Sequence, residues 1–398
     1  MTIALFQRLR KTLWKLFLPL FAVALAACEP IAVGNLGGTS ASGGPQIDVN
    51  APVPVALLVP RGGSASDNLL AQDLENSARL AMQSLNGVQV DLRVYATAGN
   101  PATAANVAAQ AVNDGAKIIL GPVYAESANA AGVAVAGAGV NVLSFSNNPT
   151  IAGGNVFILG PTFDSTANRL VDYARRNGKD RIVVVSGQDV AGQLGRSAIQ
   201  QAIARNGATL AGSVDYALSQ ESVIAAVPRV KAAVDAGEAN AVFLTTSSAS
   251  ALPLFAQLLP EAGVSVASTQ YIGLTRWDIP PQTLSLPGLQ GGWFALPDPN
   301  AAAAFSQRYA AAYGREPQPI AGLAFDGIAA IGALVRSGNR NALSGSALTQ
   351  GAGFRGASGI FRLTNTGLNE RGLAIAGIRN NSVVILEGAP QAFGGAGS

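Results

Sequence analysis

The fold is decided by the stretch Val53-Pro54-Val55-Ala56-Leu57-Leu58-Val59-Pro60-Arg61-Gly62-Gly63, an apolar run that stops at proline and glycine. The segment behind it has apolar residues at intervals of three and four, which is the spacing of one helix face. These residues are Leu70, Leu74, Ala78, Ala81 and Leu85. A buried strand that turns tightly into an amphipathic helix is typical of the start of a parallel α/β sheet. We expect the turn to face a ligand crevice.

The same alternation of strand and helix continues along the chain. In the first half, strands are predicted at 53–59, 88–95, 117–120, 140–143 and 156–159, and helices at 69–85, 101–112 and 124–138. In the second half, strands are predicted at 181–185, 210–216, 241–245 and 270–273, with helices between them. Short loops between such repeats favour parallel sheets with helices on both faces. The predicted fold class is therefore α/β, with two doubly wound parallel-sheet lobes.

The first fifty residues predict delivery to the cell envelope. Residues 1–15 carry four positive charges, and the 12 residues from Leu16 to Ala27 are apolar and uncharged. Such a run is too short for a ~30 Å hydrocarbon core and predicts a signal peptide over 1–27. The following Leu25-Ala26-Ala27-Cys28 resembles the bacterial lipoprotein box, which implies lipidation of Cys28 and a membrane anchor. The alternative is an ordinary signal peptide with an incidental cysteine. Residues 28–50 are expected to form a flexible tether.

The composition argues against most enzyme classes. The chain has no histidine, which excludes serine-histidine-acid triads and histidine-containing zinc sites. Its single cysteine excludes an intramolecular disulfide and CxxC redox chemistry. Four of the 26 basic residues precede Cys28, which leaves 22 basic residues against 23 acidic ones and removes the basic face that nucleic-acid binding needs. We predict no enzyme activity, no metal, no cofactor and no nucleic-acid partner.

Three signals in order resemble the type I periplasmic-binding-protein family of leucine and amide receptors. They are Leu57-Leu58-Val59-Pro60 with its glycine turn, Gly121-Pro122 after the third strand, and Val142-Leu143-Ser144 at the fourth. The resemblance continues through nearly all of residues 51–388. It implies a first lobe of 51–160 plus 296–350, a second of 161–295 plus 351–390, and a disordered tail of 391–398. Three crossings between the lobes form a hinge, so closure over a cleft is expected.

Ligands in open α/β sheets meet the loops that follow the carboxyl ends of the strands. Here those loops carry hydroxyl, amide and backbone N–H groups, which suit a small polar or zwitterionic ligand. Tyr124 and Trp277 are expected to stack over it. Each position can also be explained as a turn or cap residue. The candidate ligand-binding residues are Arg61, Gly62, Ser64, Tyr124, Ser144, Ser146, Asn147, Gln188, Ser247, Thr275, Trp277 and Asp326.

The cleft loops depart from the amino-acid-binding branch of the family. That branch holds the ligand carboxylate with a serine where this chain has Ala125, and it ends the fourth-strand loop with a small residue and a threonine where this chain has Asn147-Asn148. It holds the ligand ammonium with a carboxylate near 273–277, and the nearest one here is Asp278. Losing most of these charge-assisted contacts argues against an amino-acid receptor.

Two functional hypotheses follow. The chain resembles the penicillin-binding-protein activator lipoproteins in its lipoprotein box, its tether and the closing segment 354–371, but it lacks their helical-repeat domain. The first hypothesis is a non-enzymatic, periplasm-facing lipoprotein, with Glu29 favouring the outer membrane. It would regulate peptidoglycan synthesis by binding a penicillin-binding protein or a peptidoglycan fragment. The alternative is the solute-binding subunit of an ABC importer for amino acids, amides or similar small polar solutes, with a permease as partner.

Overall fold

The computed structural model describes residues 44–394. The predicted signal peptide, Cys28 and most of the predicted tether lie outside the described residues. Within 44–394, no helix combines the length and the apolar character that a membrane crossing requires.

The first sheet contains five parallel strands, as predicted for the first half of the chain. Its strands are β1 (Val53–Val59), β2 (Val90–Ala96), β3 (Ile118–Leu120), β4 (Asn141–Ser144) and β5 (Val156–Ile158). Their order is β2-β1-β3-β4-β5, so the direction of winding reverses between β1 and β3. Helices α1 (Ala65–Met82), α2 (Pro101–Asn113) and α3 (Ala125–Val135) connect the first four strands. The carboxyl ends at such a reversal are where this class of sheet binds ligands.

Helix α1 shows why the turn after β1 has its sequence. The Ser64 hydroxyl accepts a hydrogen bond from the Asp67 backbone N–H at 3.1 Å, and the Asp67 carboxylate accepts one from the Ser64 N–H at 3.0 Å. This reciprocal cap starts the helix at residue 65, four residues before the predicted start. The predicted apolar face is buried at Leu70, Leu74, Ala78 and Ala81.

The second sheet has seven strands in the order β15-β14-β10-β9-β8-β6-β7. The elements of this half that precede the second crossing are α4 (Phe163–Arg176), β6 (Arg181–Gly187), α5 (Val190–Arg205), β7 (Thr209–Tyr216), α6 (Gln220–Ala236), β8 (Ala241–Leu244), α7 (Leu252–Glu261), β9 (Gln270–Gly273) and β10 (Trp293–Pro297). Strands β6 to β10 are parallel, as predicted.

The remaining elements complete both halves of the molecule. They are α8 (Pro299–Tyr313), α9 (Gly322–Val335), α10 (Gly345–Leu348), β11 (Phe354–Gly356), β12 (Gly359–Leu363), β13 (Asn369–Arg371), β14 (Leu373–Arg379) and β15 (Ser382–Glu387). Strands β11 to β13 form a small antiparallel sheet. Strand β14 runs antiparallel to β10 and to β15, which the sequence did not predict. The β14–β15 pair has to be antiparallel because only two residues connect it.

The chain passes between the two sheets at three places. The first crossing joins β5 to α4, and the second joins β10 to α8 and α9, of which α9 packs against α1. The third joins the small sheet to β14 at Gly372. We call the first sheet with its helices the first lobe, and the second sheet with its helices the second lobe. The predicted lobe boundaries remain a prediction, and the one at residue 296 falls inside β10.

Two terminal segments differ from their predictions. Residues 44–50 were expected to belong to a flexible tether, but Ile47 is buried in the core of the first lobe and its N–H donates to Arg340 O at 2.9 Å. Residues 391–398 were expected to be disordered, but the Gln391 amide donates to the Asp298 carboxylate at 2.9 Å. In each segment one side chain, Ile47 or Gln391, contacts the folded part of the chain. The overall polar composition of the segments did not predict these contacts. Residues 395–398 lie outside the described residues.

Candidate ligand-binding site

A cavity of about 900 Å³ lies beside the three crossings, with walls from both lobes. The loops after β3, β4 and β9 contribute to it, as do α8, the turn before α9, and the small sheet. Its volume is in the usual range for small-molecule sites. The lining residues with polar side chains are Tyr124, Ser146, Asn147, Asn148, Thr166, Arg276, Ser306, Gln318, Ser358 and Arg371.

Most of the remaining lining is apolar. Phe145 and Leu323 face the cavity from the first lobe, Leu274 and Leu296 from the second, and Phe305 from α8. Phe305 is held by an edge-on contact with Phe325 at a centroid distance of 5.5 Å. The site therefore combines a large apolar surface with a few fixed polar groups, which is the usual composition of a site for a small organic molecule.

Arg371 is the most constrained polar residue of the lining. Its side chain is only 7% exposed, and its Nη2 lies 2.9 Å from Oδ2 of the fully buried Asp326. The same Nη2 donates to Leu159 O in the first crossing, and the guanidinium lies over the Phe361 ring at 5.2 Å. The other Asp326 oxygen accepts the Ala357 N–H at 2.7 Å. This cluster ties α9, the first crossing and the small sheet together at the edge of the cavity.

Arg276 is the second arginine of the lining and is much more exposed. It lies in the loop after β9, its side chain is 41% exposed, and its Nε donates to Asp278 Oδ1 at 2.9 Å. Among the described residues that line the cavity, Arg276 and Arg371 are the only ones with a charged side chain.

Tyr124 stands on the opposite wall, in the first lobe. Its hydroxyl donates to the Asp67 carboxylate, and this hydrogen bond is the main reason that the pKa of Asp67 lies below its usual value. The same bond raises the pKa of Tyr124. The contact joins the loop after β3 to the capped start of α1, so Tyr124 presents its ring from a fixed position.

Of the twelve candidate residues, the structure places Tyr124, Ser146 and Asn147 in the lining of this cavity. Asp326 lies directly behind the lining, paired with Arg371. Ser144 is fully buried and donates to Pro122 O at 3.2 Å, so it supports the loop and does not line the cavity.

The loop after β1 is used for helix capping and an ion pair. Arg61 pairs with Glu75 at 2.7 Å, the Gly62 N–H donates to Asn68 Oδ1 at 2.9 Å, and Ser64 caps α1. These three residues do not line the cavity. Their polar groups bind residues of α1 and its cap, so these three residues do not have the ligand-binding role that was expected of them.

Three candidates of the second lobe also serve local contacts. The Gln188 amide donates to Asp215 at 2.8 Å, Ser247 belongs to a hydroxyl cluster with Ser250 at 3.2 Å, and Thr275 donates to Thr246 O at 3.0 Å. None of the three is part of the cavity lining.

Trp277 requires a correction, because it is fully buried in the core of the second lobe and cannot stack over a ligand there. Its indole lies 6.3 Å from the Phe294 ring. A Cβ at Gly273 or Gly292 would come within 2.2 Å or 2.5 Å of the indole. The absence of a Cβ at both glycines therefore leaves room for the indole. The sequence around Trp277 did not indicate that its side chain is buried, because its neighbours in the chain are polar.

The lining also includes residues that were not among the candidates, such as Arg371, Arg276, Gln318, Ser358 and Phe305. Arg371 lies in the predicted closing segment and Arg276 next to two of the candidates. Nothing in the local sequence distinguishes Arg371 from the other arginines of the chain, because its partner Asp326 is 45 residues away.

A second cavity, of about 980 Å³, lies on the outer side of the second lobe between α6, α7 and the turn at 286–288. Its lining comes from that lobe alone, and Glu261 is the only charged residue among the described residues that line it. None of the twelve candidate residues is in its lining, although the candidate Ser247 contacts the lining residue Ser250 at 3.2 Å. We therefore take the cavity beside the crossings as the candidate site.

Two α/β lobes with three crossings and a cavity between them define a two-lobed binding protein. The chain belongs to the family described as "Periplasmic binding protein", whose model matches residues 52–382. This confirms the resemblance to the periplasmic-binding-protein family. The family name describes a binding role, and the structural relatives below are described as ABC transporter or solute-binding proteins.

Solved structures share this fold at low identity. A Rhodospirillum rubrum protein, described as a branched-chain amino acid ABC transporter, has a TM-score of 0.71 at 18% identity over 84% of this chain and 100% of its own. A substrate-binding protein from Desulfitobacterium hafniense in complex with Leu has a TM-score of 0.59 at 18% identity, over 84% of this chain and 100% of its own. A Rhodopseudomonas palustris solute-binding protein in complex with 3,4-dihydroxybenzoic acid has a TM-score of 0.54 at 16% identity, over 85% and 98%. No curated protein matches the chain.

Proposed function

We propose that the chain is the solute-binding subunit of an ABC importer and that it binds a small organic solute in the cavity beside the crossings. The observation that carries this proposal is the cavity itself, which both lobes line and which a buried, fixed arginine faces. Closure of the lobes around the three crossings would sequester the solute and present the closed form to a permease.

The family and the structural relatives favour this importer interpretation over the activator interpretation. The relatives named above are ABC transporter or solute-binding proteins, and two of them were solved with a small molecule. They offer no support for a penicillin-binding protein as partner. The importer interpretation also accounts for the cavity, which a regulator acting only through its surface would not need.

The sequence further supports a place in the cell envelope. The signal peptide and the lipoprotein box at Cys28 indicate export and anchoring through acyl chains. We expect Cys28→Ser to move the protein from the membrane fraction to the soluble fraction without changing its circular dichroism spectrum. A variant that stays in the membrane fraction would contradict lipid anchoring at Cys28.

Ligand binding is tested by thermal-shift screening of the full chain against amino acids, amides, carboxylic acids and sugars. A ligand at 100 times its Kd stabilises the folded state by ~2.7 kcal/mol, which raises the melting temperature by several degrees. If no compound of the panel shifts the melting temperature, the solute-binding proposal is wrong. Recovery of a penicillin-binding protein by affinity capture, without any small-molecule shift, would favour the activator interpretation.

Transport is tested separately by deleting the gene and measuring uptake of the labelled solute that the screen identifies. We expect uptake to fall to background in the deletion strain and to return with the wild-type gene. Unchanged uptake at solute concentrations below Kd would contradict the importer role and leave binding intact.

A further inference from the structure

The charged groups of the candidate cavity are all of one sign. Arg371 and Arg276 are the charged lining residues within the described part of the chain, and no carboxylate stands beside them in the lining. Three nearby carboxylates are already engaged: Asp326 with Arg371, Asp278 with Arg276, and Asp67 with Tyr124. A fourth, Glu316, lies outside the lining and accepts a hydrogen bond from the lining residue Ser306. A cationic group entering this cavity would lose hydration without meeting a carboxylate in the lining itself.

Arg371 has N–H groups that no described residue accepts. Its Nη2 serves Leu159 and Asp326, while its Nε is buried and has no hydrogen-bond partner among residues 44–394. Its Nη1 also makes no hydrogen bond to the described residues. An unmade hydrogen bond at a buried donor is costly, and a charged acceptor satisfies a guanidinium best. Asp326, Leu159 and the Phe361 ring fix the guanidinium, so little side-chain entropy is lost when a further acceptor binds.

The rest of the cavity is suited to an apolar body. The apolar lining comes from both lobes and from α8, and it includes Phe305, Phe145, Leu323, Leu274 and Leu296. Burial of apolar ligand surface against such walls contributes roughly 25 cal/mol per Å². The two guanidinium groups therefore favour a negative charge on the ligand, and the apolar lining favours a hydrocarbon body.

We propose that the solute is an organic monocarboxylate with a sizeable aliphatic or aromatic body and no ammonium group. Its carboxylate is bound by Arg371 with help from Arg276, and its apolar body lies among Phe305, Leu274 and Leu296. This inference rests on the proposed function, because it names the ligand class of the same cavity.

The test compares matched ligands that differ by one group, measured by isothermal titration calorimetry on the full chain. 4-Methylpentanoate is paired with leucine and 3-phenylpropanoate with phenylalanine, so that each pair differs only in the ammonium group. 4-Methylpentan-1-ol lacks the carboxylate. We expect the better-bound acid to bind at least about tenfold more tightly than its amino acid, since an unpaired buried ammonium costs that much or more. The alcohol is expected to bind more weakly than 4-methylpentanoate by a similar factor.

Variants of the two arginines test where the carboxylate of the ligand binds. Removing Arg371 alone would leave Asp326 buried and unpaired, so the test uses the double variant Asp326→Asn with Arg371→Gln, which removes both charges together and keeps a polar side chain at each position. We expect it to lose about tenfold or more in affinity for the acid. Arg276→Gln is expected to lose about threefold, because exposed charges contribute less. The matched control is Arg229→Gln, whose exposed arginine pairs with Asp215 at 3.2 Å on the same lobe but outside the cavity.

The outcomes separate this proposal from the proposed function. If leucine or phenylalanine binds as tightly as its acid, or the alcohol as tightly as 4-methylpentanoate, the monocarboxylate proposal is wrong and the solute-binding role stands. The same holds if neither acid binds and the only compounds of the screening panel that bind are amino acids, amides or sugars. A folded double variant that retains full acid affinity would also overturn it. If no compound binds at all, the proposed function itself fails.

Discussion

The two arginines of the cavity are held in contrasting ways. Arg371 is nearly buried, and its partner Asp326 is fully buried and receives a backbone N–H as well. Arg276 is two-fifths exposed, and its partner Asp278 lies two residues away on the same loop. A buried pair whose carboxylate has further partners fixes the geometry of the site, while an exposed local pair is screened by solvent and moves with its loop. From this difference we expect Arg371 to anchor a ligand and Arg276 to act mainly on its approach.

The largest expected effect is on stability and comes from breaking the buried pair. Asp326→Ala leaves the Arg371 guanidinium and the Ala357 N–H without their acceptor, so we expect a loss of about 3–5 kcal/mol in the free energy of unfolding. Asp278→Ala makes the equivalent change in the second pair, in which the arginine is 41% exposed and the carboxylate 14%, so we expect a smaller cost of about 1 kcal/mol. Urea titrations of both variants measure the difference. Equal losses would show that burial does not distinguish the two pairs.

Replacing the whole buried pair separates stability from binding. Asp326→Leu combined with Arg371→Met removes both charges, and buried pairs can often be exchanged for apolar residues at little cost. We expect most of the stability to return, with about 1–3 kcal/mol still missing because the Ala357 N–H keeps no acceptor. Urea titration measures this recovery. Acid affinity, measured by calorimetry, should remain lost, and a variant that binds the acid normally would contradict the role of Arg371.

Salt distinguishes the two arginines more finely. The Debye length falls from about 30 Å at 0.01 M salt to about 3 Å at 1 M, and this screens exposed charges more than buried ones. The threefold deficit expected of Arg276→Gln should therefore shrink towards zero at high salt. The deficit of the Asp326→Asn, Arg371→Gln variant should persist. Calorimetric titration at both salt concentrations checks this, and identical salt dependence of the two deficits would contradict it.

The smallest expected effect concerns the pair on the opposite wall, Tyr124 and Asp67. The hydrogen bond from Tyr124 lowers the pKa of Asp67 below its usual 3.8, so it stabilises the fold fully above that pH and less as the pH falls through the folded pKa. Tyr124→Phe should cost less than about 1 kcal/mol at pH 7, since the tyrosine is partly exposed. Urea titrations at pH 7 and pH 3 should show a smaller cost at the lower pH. A cost that grows on acidification would contradict this assignment.

The sequence predicted elements better than it predicted the site. Apolar runs next to proline and glycine located β1 and β3, because burial on both faces of a parallel sheet requires such runs. It also located the apolar face of α1. It did not predict the antiparallel edge of β14 and β15, because pairing direction depends on how a strand returns to a sheet. Polar residues in the loops after the strands were predicted to bind the ligand, but most of them do not line the cavity. Side chains such as Ser64 and Gln188 make local hydrogen bonds instead.

The α/β class and the order of strands and helices follow from the amino-acid sequence alone, which also predicts an export signal ahead of them. These properties are local, because hydrophobic periodicity and turn residues act over a few neighbouring positions. Which charges meet depends on the tertiary structure. It paired Arg371 with Asp326 across 45 residues, and it buried Trp277 while leaving its neighbour Arg276 at the cavity. The chemistry of the site is set by these long-range contacts, which depend on how the two lobes pack and not on any single stretch of the chain.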